Sequence, residues 1–157
     1  MQNPYMHALQ VCFTIILPMI MVGSLASLVN TFRNFAPWLP DLSLINSFSF
    51  GLISIFMAFL IPYTIMESKK LQKQKMITGF ASVSALIALA NPQYVDGNLV
   101  INSGYVGTGG MTVAMVMGLV IGWLFSAYFK HGLFKKNSSL PSVVVVWFES
   151  ILIIFVL

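Results

Sequence analysis

Charge is what this 157-residue chain has least of: Asp, Glu, Lys and Arg together make up 8% of it, against about a quarter in soluble domains. Hydrophobic residues make up 58%, and no soluble core of this size could hide so much apolar surface beneath a wettable exterior. Cysteine is nearly absent as well. Cys12 stands alone in an apolar stretch, which excludes an intrachain disulfide and any paired-cysteine redox or zinc motif. Histidine occurs twice, as His7 and His131, far apart and without a carboxylate pattern, so no metal motif is present. The glycine cluster has no Gly-Lys-Ser or Gly-Lys-Thr ending and is not a nucleotide phosphate loop. The first apolar run lacks a basic leader and a small-residue cleavage site, so it is not a signal peptide. No catalytic group and no cofactor is implied.

What the chain does have is long uncharged runs. Residues 8–32 and 42–66 hold 25 uncharged residues each, enough to cross a bilayer as helices. Pro18 lies inside the first and should kink it, and Pro62 lies near the end of the second. A third run, residues 76–90, is shorter and rich in Ala, Ser and Gly, which suits close helix packing. It stops at Asn91-Pro92, and the NPQYVDGN stretch marks a turn. Residues 97–129 are uncharged but too long for one span. Their glycine-rich first part reads as a loop or re-entrant segment, and residues 108–129 as the fourth crossing. A fifth run of 16 residues follows Pro141 and carries Glu149 at its centre. The expectation is an all-α, polytopic transmembrane bundle of about five spans, one domain over residues 1–157.

Seven of the eight basic side chains fall in alternate loops, with Lys69, Lys70, Lys73 and Lys75 after the second span and Lys130, Lys135 and Lys136 after the fourth. The positive-inside rule makes that side, and the N-terminus, cytoplasmic. The net charge of +4 is therefore a topology signal and not a nucleic-acid footprint. The first lysine loop reads as topogenic, with an anionic lipid or phosphorylated partner as the competing reading.

Three polar or small-residue features stand out. Glu149 falls near mid-bilayer if its run spans, where an unpaired carboxylate costs several kcal/mol or stays protonated. It either lines a hydrophilic path, in contact with sugar hydroxyls or protons, or pairs with another helix. The Asn102–Gly104–Gly107–Gly109–Gly110 cluster lets backbone approach a ligand or simply turns the chain into the fourth helix. Small-x-x-x-small pairs, Gly118 with Gly122 and Gly23 with Ser27, are helix-packing signals whose partner is either internal or a second copy.

Several of these stretches together resemble one family. NPYMHALQVCFTIILPMIMVGSLASLVN, with Pro18 and Gly23-Ser24 in step, is similar to the first helix of the membrane-embedded C component (enzyme IIC) of bacterial phosphotransferase-system sugar permeases, lactose/cellobiose class. GTGGMTVAM at residues 107–115 resembles that family's entry into a later helix, and LPSVVVVWFES resembles a further segment, with Pro141, Phe148 and Glu149 aligned. The chain departs at Gln10-Val11-Cys12, where the family tends to show Arg-Asp-Gly, and at Val146, where it commonly has a basic residue. The resemblance covers the N-terminal half of the family's length. It implies a scaffold and dimerisation role in the bacterial cytoplasmic membrane, moving a disaccharide such as cellobiose or lactose. It also implies a homo-oligomer or a complementing membrane half, with a cytoplasmic phosphotransferase B component that phosphorylates the sugar. Since the last run ends soon after Glu149, the chain reads as a portion of a larger permease plan. The alternative is an orphan membrane protein acting as an oligomeric accessory or interaction partner without transport of its own.

Overall fold

The computed structural model of the protein describes residues 3–131. Glu149, Pro141 and the fifth apolar run lie outside the described residues. Helix α1 (Pro4–Arg33) opens with Asn3, whose side chain accepts the Tyr5 N–H at 3.1 Å, and Pro4, whose missing donor would be unused in a first turn anyway. It continues through Pro18 as one helix of 30 residues. Its buried positions, Ala8, Cys12, Ile16, Gly23 and Ala26, form a narrow stripe of mostly small side chains. Met6, Phe13, Leu17, Met21, Leu25 and Phe32 face outward.

The second run is broken where the sequence reads as one span. Helix α2 (Ser43–Gly51) stops at Leu52, whose backbone leaves the helical region at φ −119° and ψ 6°, and α3 (Ile53–Ser68) resumes directly. Gly51 weakens the helix there, and the break lets α2 lie on α1. Gly23 makes room for that contact, since a Cβ there would meet the Ser49 Cβ at 2.8 Å and the Phe50 ring at 2.9 Å.

Helix α4 (Lys75–Leu89) has 15 residues, about 22 Å at 1.5 Å per residue. That is short of the ~30 Å hydrocarbon layer, so the third expected span is an apolar helix below crossing length. Among the described residues three segments are long and apolar enough to cross: Pro4–Arg33, Ser43–Ser68 and Thr108–Lys130. After α4 comes a small antiparallel hairpin, β1 (Gln93–Val95) and β2 (Asn98–Val100), in register Val95↔Asn98. Asp96 at φ 49° and Gly97 at φ 78° form its two-residue turn, the mirror-image geometry that matches strand twist. One helical turn, α5 (Ser103–Val106), and a 3₁₀ turn at Thr108–Gly110 lead into α6 (Met111–His131). Apart from the hairpin the described fold is all-α, with five helices of nine residues or more, and it is that of a polytopic, membrane-like protein.

The central element is α3, which packs against α1, α4 and α6. Ile53, Met57, Ala58, Ile61 and Ile65 meet Ala8, Cys12 and Ile16 of α1, Leu86 of α4 and Ala114 of α6 in one core. A second cluster, Met66, Ala81, Ile121 and Phe125, lies toward the lysine end, with Leu71 packed on it.

The end of α3 is a Schellman closure. The Leu71 N–H donates to the Met66 carbonyl at 2.9 Å and the Lys70 N–H to the Glu67 carbonyl at 3.0 Å. Lys70 occupies the left-handed position, φ 63°, that glycine usually fills. Lys70→Gly should therefore raise stability by about 0.5–1 kcal/mol, the strain relieved exceeding the unfolded-state entropy glycine adds. A denaturation midpoint in detergent reads this directly.

At the opposite end, Arg33 and Asp41 pair at 2.7 Å. Asp41 also accepts the Ser43 N–H at 2.9 Å, and Asn30 accepts the Leu42 N–H at 2.9 Å, fixing the α1–α2 turn. The Asp41 carboxyl titrates below its ordinary value of 3.8, chiefly because of the Ser43 backbone bond, with the Ser43 hydroxyl and Arg33 also contributing. A depressed carboxylate stabilises above its unfolded pKa and loses that contribution as pH falls through the folded value. Lowering the pH from about 5 to about 3 should reduce the protection of the Ser43 amide, measured as its exchange rate relative to the unprotected rate at the same pH, and Asp41→Asn, which keeps an acceptor without the titration, should remove the dependence.

Candidate functional site

Each end of the bundle carries a polar hollow. At the hairpin end a cavity of about 420 Å³ is lined by Ala90, Asn91, Gln93, Val100, Asn102 and Tyr105. Asn91 turns the chain out of α4 with φ 49°, a conformation asparagine tolerates. Asn102 Oδ1 accepts the Gly104 N–H at 2.9 Å, the Asn102 carbonyl accepts the Tyr105 N–H at 3.1 Å, and the Gly107 carbonyl accepts the Gly110 N–H at 3.0 Å. Ser54, fully buried on α3, donates its hydroxyl to the Gly107 carbonyl at 2.5 Å and ties this turn to the core.

The glycines of this cluster serve close backbone approach. A Cβ at Gly110 would overlap the Tyr105 carbonyl, and one at Gly109 would sit 2.8 Å from the Gly104 carbonyl oxygen. Gly104 is roomier, its virtual Cβ meeting only Asn102 Oδ1 at 3.1 Å. The cavity beside this turn offers amide and phenol groups without a charge, suited to hydrogen-bonding neutral hydroxyls and not to acid–base chemistry.

Gly118 and Gly122 lie on the face of α6 that meets α3. Their virtual Cβ atoms fall 3.0 Å from the Ile61 Cβ and 2.6 Å from the Ile65 Cδ1, with Pro62 at 3.2 and 3.3 Å. The two glycines let α6 close on the turn of α3 that Pro62 occupies.

At the other end, the residue that sequence reasoning missed is Lys69. Charge counting groups it with the topogenic lysines, yet it caps α3 and reaches back into the bundle. Its ammonium donates to Tyr5 Oη at 2.8 Å and to Ser126 Oγ at 2.7 Å, and lies 4.6 Å from the Tyr5 ring centre. Ser126 in turn donates to the Trp123 carbonyl at 2.9 Å. This one side chain joins the start of α1, the end of α3 and the end of α6. Those partners lie 64 and 57 residues away in sequence, and no local pattern announces them. Lys75, by contrast, pairs with Glu67 at 2.9 Å and sits 4.7 Å from the Tyr63 ring centre. The contacts of Lys69 put the N-terminus of α1, the lysine loop and Lys130 at one end of the bundle. Arg33, Asp41 and the hairpin are at the other.

Among the described residues no three His, Cys, Asp or Glu side chains gather as a metal site. No protein-family model, no curated protein and no solved structure matches the chain.

Proposed function

We propose that the chain is the scaffold portion of a multi-span sugar permease of the phosphotransferase-system kind, embedded in a bacterial cytoplasmic membrane with its lysine end inward. One observation carries this reading: α3, at the centre of the described bundle, is packed by apolar or small groups from α1, α4 and α6 along most of its surface, with Phe56 remaining exposed. The two polar hollows lie at opposite ends of this packed interior. A solid bundle supports a neighbour; a translocation path would be lined by whatever packs beside it. The outward row of Met21, Leu25 and Phe32 on α1, continued by Phe48 on α2, offers an apolar face for that neighbour or for lipid.

In this reading a complementing membrane half binds the disaccharide, and a cytoplasmic B component phosphorylates it. Glu149 is the residue proposed to meet that half. Co-expression with a complementing half should yield a co-purifying complex that takes up cellobiose or lactose, with neither chain doing so alone. Glu149→Gln should weaken the co-purification. A second reading, an oligomeric accessory protein, draws on the same apolar face. Met21→Cys crosslinking only to another copy, with sugar uptake untouched by deletion of the chain, would replace the permease reading with it.

A further inference from the structure

The Lys69 clamp forms one wall of a cavity of about 460 Å³, which Trp123, Ser126 and Lys130 also line. An ammonium has three N–H donors. Two from Lys69 go to hydroxyl oxygens, which are neutral, leaving the third donor and the whole positive charge without an anionic partner among the described residues. Among the described residues no carboxylate pairs with Lys69 or Lys130, since Glu67 is engaged by Lys75 and Asp41 by Arg33. Two cations thus flank one hollow and no described acid answers them.

A second hollow, about 310 Å³, continues from the first. It is lined by Tyr5, Leu119, Val120 and Trp123 and shares Tyr5 and Trp123 with the cationic cavity. Leu119 and Val120 lie about one helical turn farther from Lys130 along α6, roughly 5 Å deeper toward the middle of the span. The groove opens outward, with Trp123 56% and Val120 45% exposed. Tyr5, near the start of α1, and Trp123, about two turns before Lys130, each have an apolar ring and a polar tip, the kind of side chain that collects at membrane boundaries.

A cationic cavity at the interface that runs into an apolar groove on the lipid-facing side matches a molecule with an anionic head and a hydrocarbon tail. We propose that this composite site binds one anionic phospholipid. Its phosphate takes the remaining Lys69 donor and the Lys130 ammonium, and one acyl chain lies along Tyr5, Trp123 and Val120. A soluble phosphate would use the cations and leave the groove unexplained. The site needs only membrane embedding and stands whether or not the permease reading holds. Because the headgroup would engage a side chain that joins α1, α3 and α6, occupancy should also tighten that end of the bundle.

The test uses the full chain purified in detergent and native mass spectrometry with three probes. These are phosphatidylglycerol, phosphatidylcholine of the same acyl composition, and inorganic phosphate. One phosphatidylglycerol should be retained about tenfold more tightly than phosphatidylcholine, whose phosphate offers the same oxygens but whose choline ammonium is repelled by Lys69 and Lys130. Lys130→Ala and Val120→Trp should each weaken phosphatidylglycerol severalfold, one through the head and the other by filling the groove. Lys69→Gln should weaken it further where the variant folds, and the Lys130 and Val120 variants decide the matter where it does not. Equal retention of the two lipids, or wild-type retention in both Lys130→Ala and Val120→Trp, overturns the proposal. Inorganic phosphate that binds as tightly as phosphatidylglycerol and is indifferent to Val120→Trp overturns it in favour of a soluble anion.

Discussion

Gly122→Leu should destabilise the bundle by about 3 kcal/mol, whereas Gly122→Ala should stay within about 1 kcal/mol of the native protein. The contrast comes from what stands opposite. The first atom added at Gly122 meets the Ile65 Cδ1 at 2.6 Å, the far end of a side chain that can rotate aside, while the helix gains the alanine propensity. A leucine would drive further carbons against the Pro62 Cα, 3.3 Å from the virtual Cβ, and that backbone is held within α3 between α1, α4 and α6. Gly118→Ala should cost more than Gly122→Ala. Its neighbour at 3.0 Å is the Ile61 Cβ, which no rotamer change can withdraw. Thermal or denaturant midpoints in one detergent would rank the three variants. A Gly122→Leu protein as stable as the native chain would mean that α6 does not close on α3 as described.

The long uncharged runs were legible because a charge is costly inside a membrane helix and marks the ends of one. Residues 8–32 fall within Pro4–Arg33, and residues 108–129 overlap the 3₁₀ turn and α6. The break at Leu52 was not legible. The chain is apolar and uncharged on both sides of it, and Gly51 alone does not announce that α2 will lean on α1. The hairpin had a visible signature in Val95-Asp96-Gly97-Asn98, read only as a turn because three-residue strands are too short for alternation to show. Lys69 was hidden for a different reason. Composition assigns every loop lysine to the interface, and only the tertiary fold separates the one captured by Tyr5 and Ser126 from those left at the surface. The glycine cluster showed that backbone would come close to something. Its neighbour proved to be the carbonyls of Gly104 and Tyr105, a contact set by ring closure within the turn and not by any side-chain pattern.

That turn carries the second large effect. Gly110→Ala should cost about 3 kcal/mol or more, and the first turn of α6 should lose its protection from amide exchange along with the drop in midpoint. A methyl at Gly110 would occupy the place of the Tyr105 carbonyl oxygen, and that oxygen has no easy retreat. The Tyr105 N–H is held by the Asn102 carbonyl, the Gly110 N–H by the Gly107 carbonyl, and the Gly107 carbonyl by the buried Ser54 hydroxyl. Shifting the chain by the needed distance would break the Ser54 bond and strand its hydroxyl in the apolar core. Ser54→Ala alone removes that bond together with its donor and should cost only about 1 kcal/mol. Gly104→Ala, which meets a single amide oxygen at 3.1 Å, should be milder still. The ordering Gly110→Ala, then Ser54→Ala, then Gly104→Ala distinguishes a turn wound on its own backbone from a flexible glycine linker, in which all three changes would be close to neutral. Since Asn102 and Tyr105 also wall the neutral polar hollow at this end, Gly110→Ala should disturb any hydroxyl ligand held there, while Lys130→Ala at the far end should leave it alone.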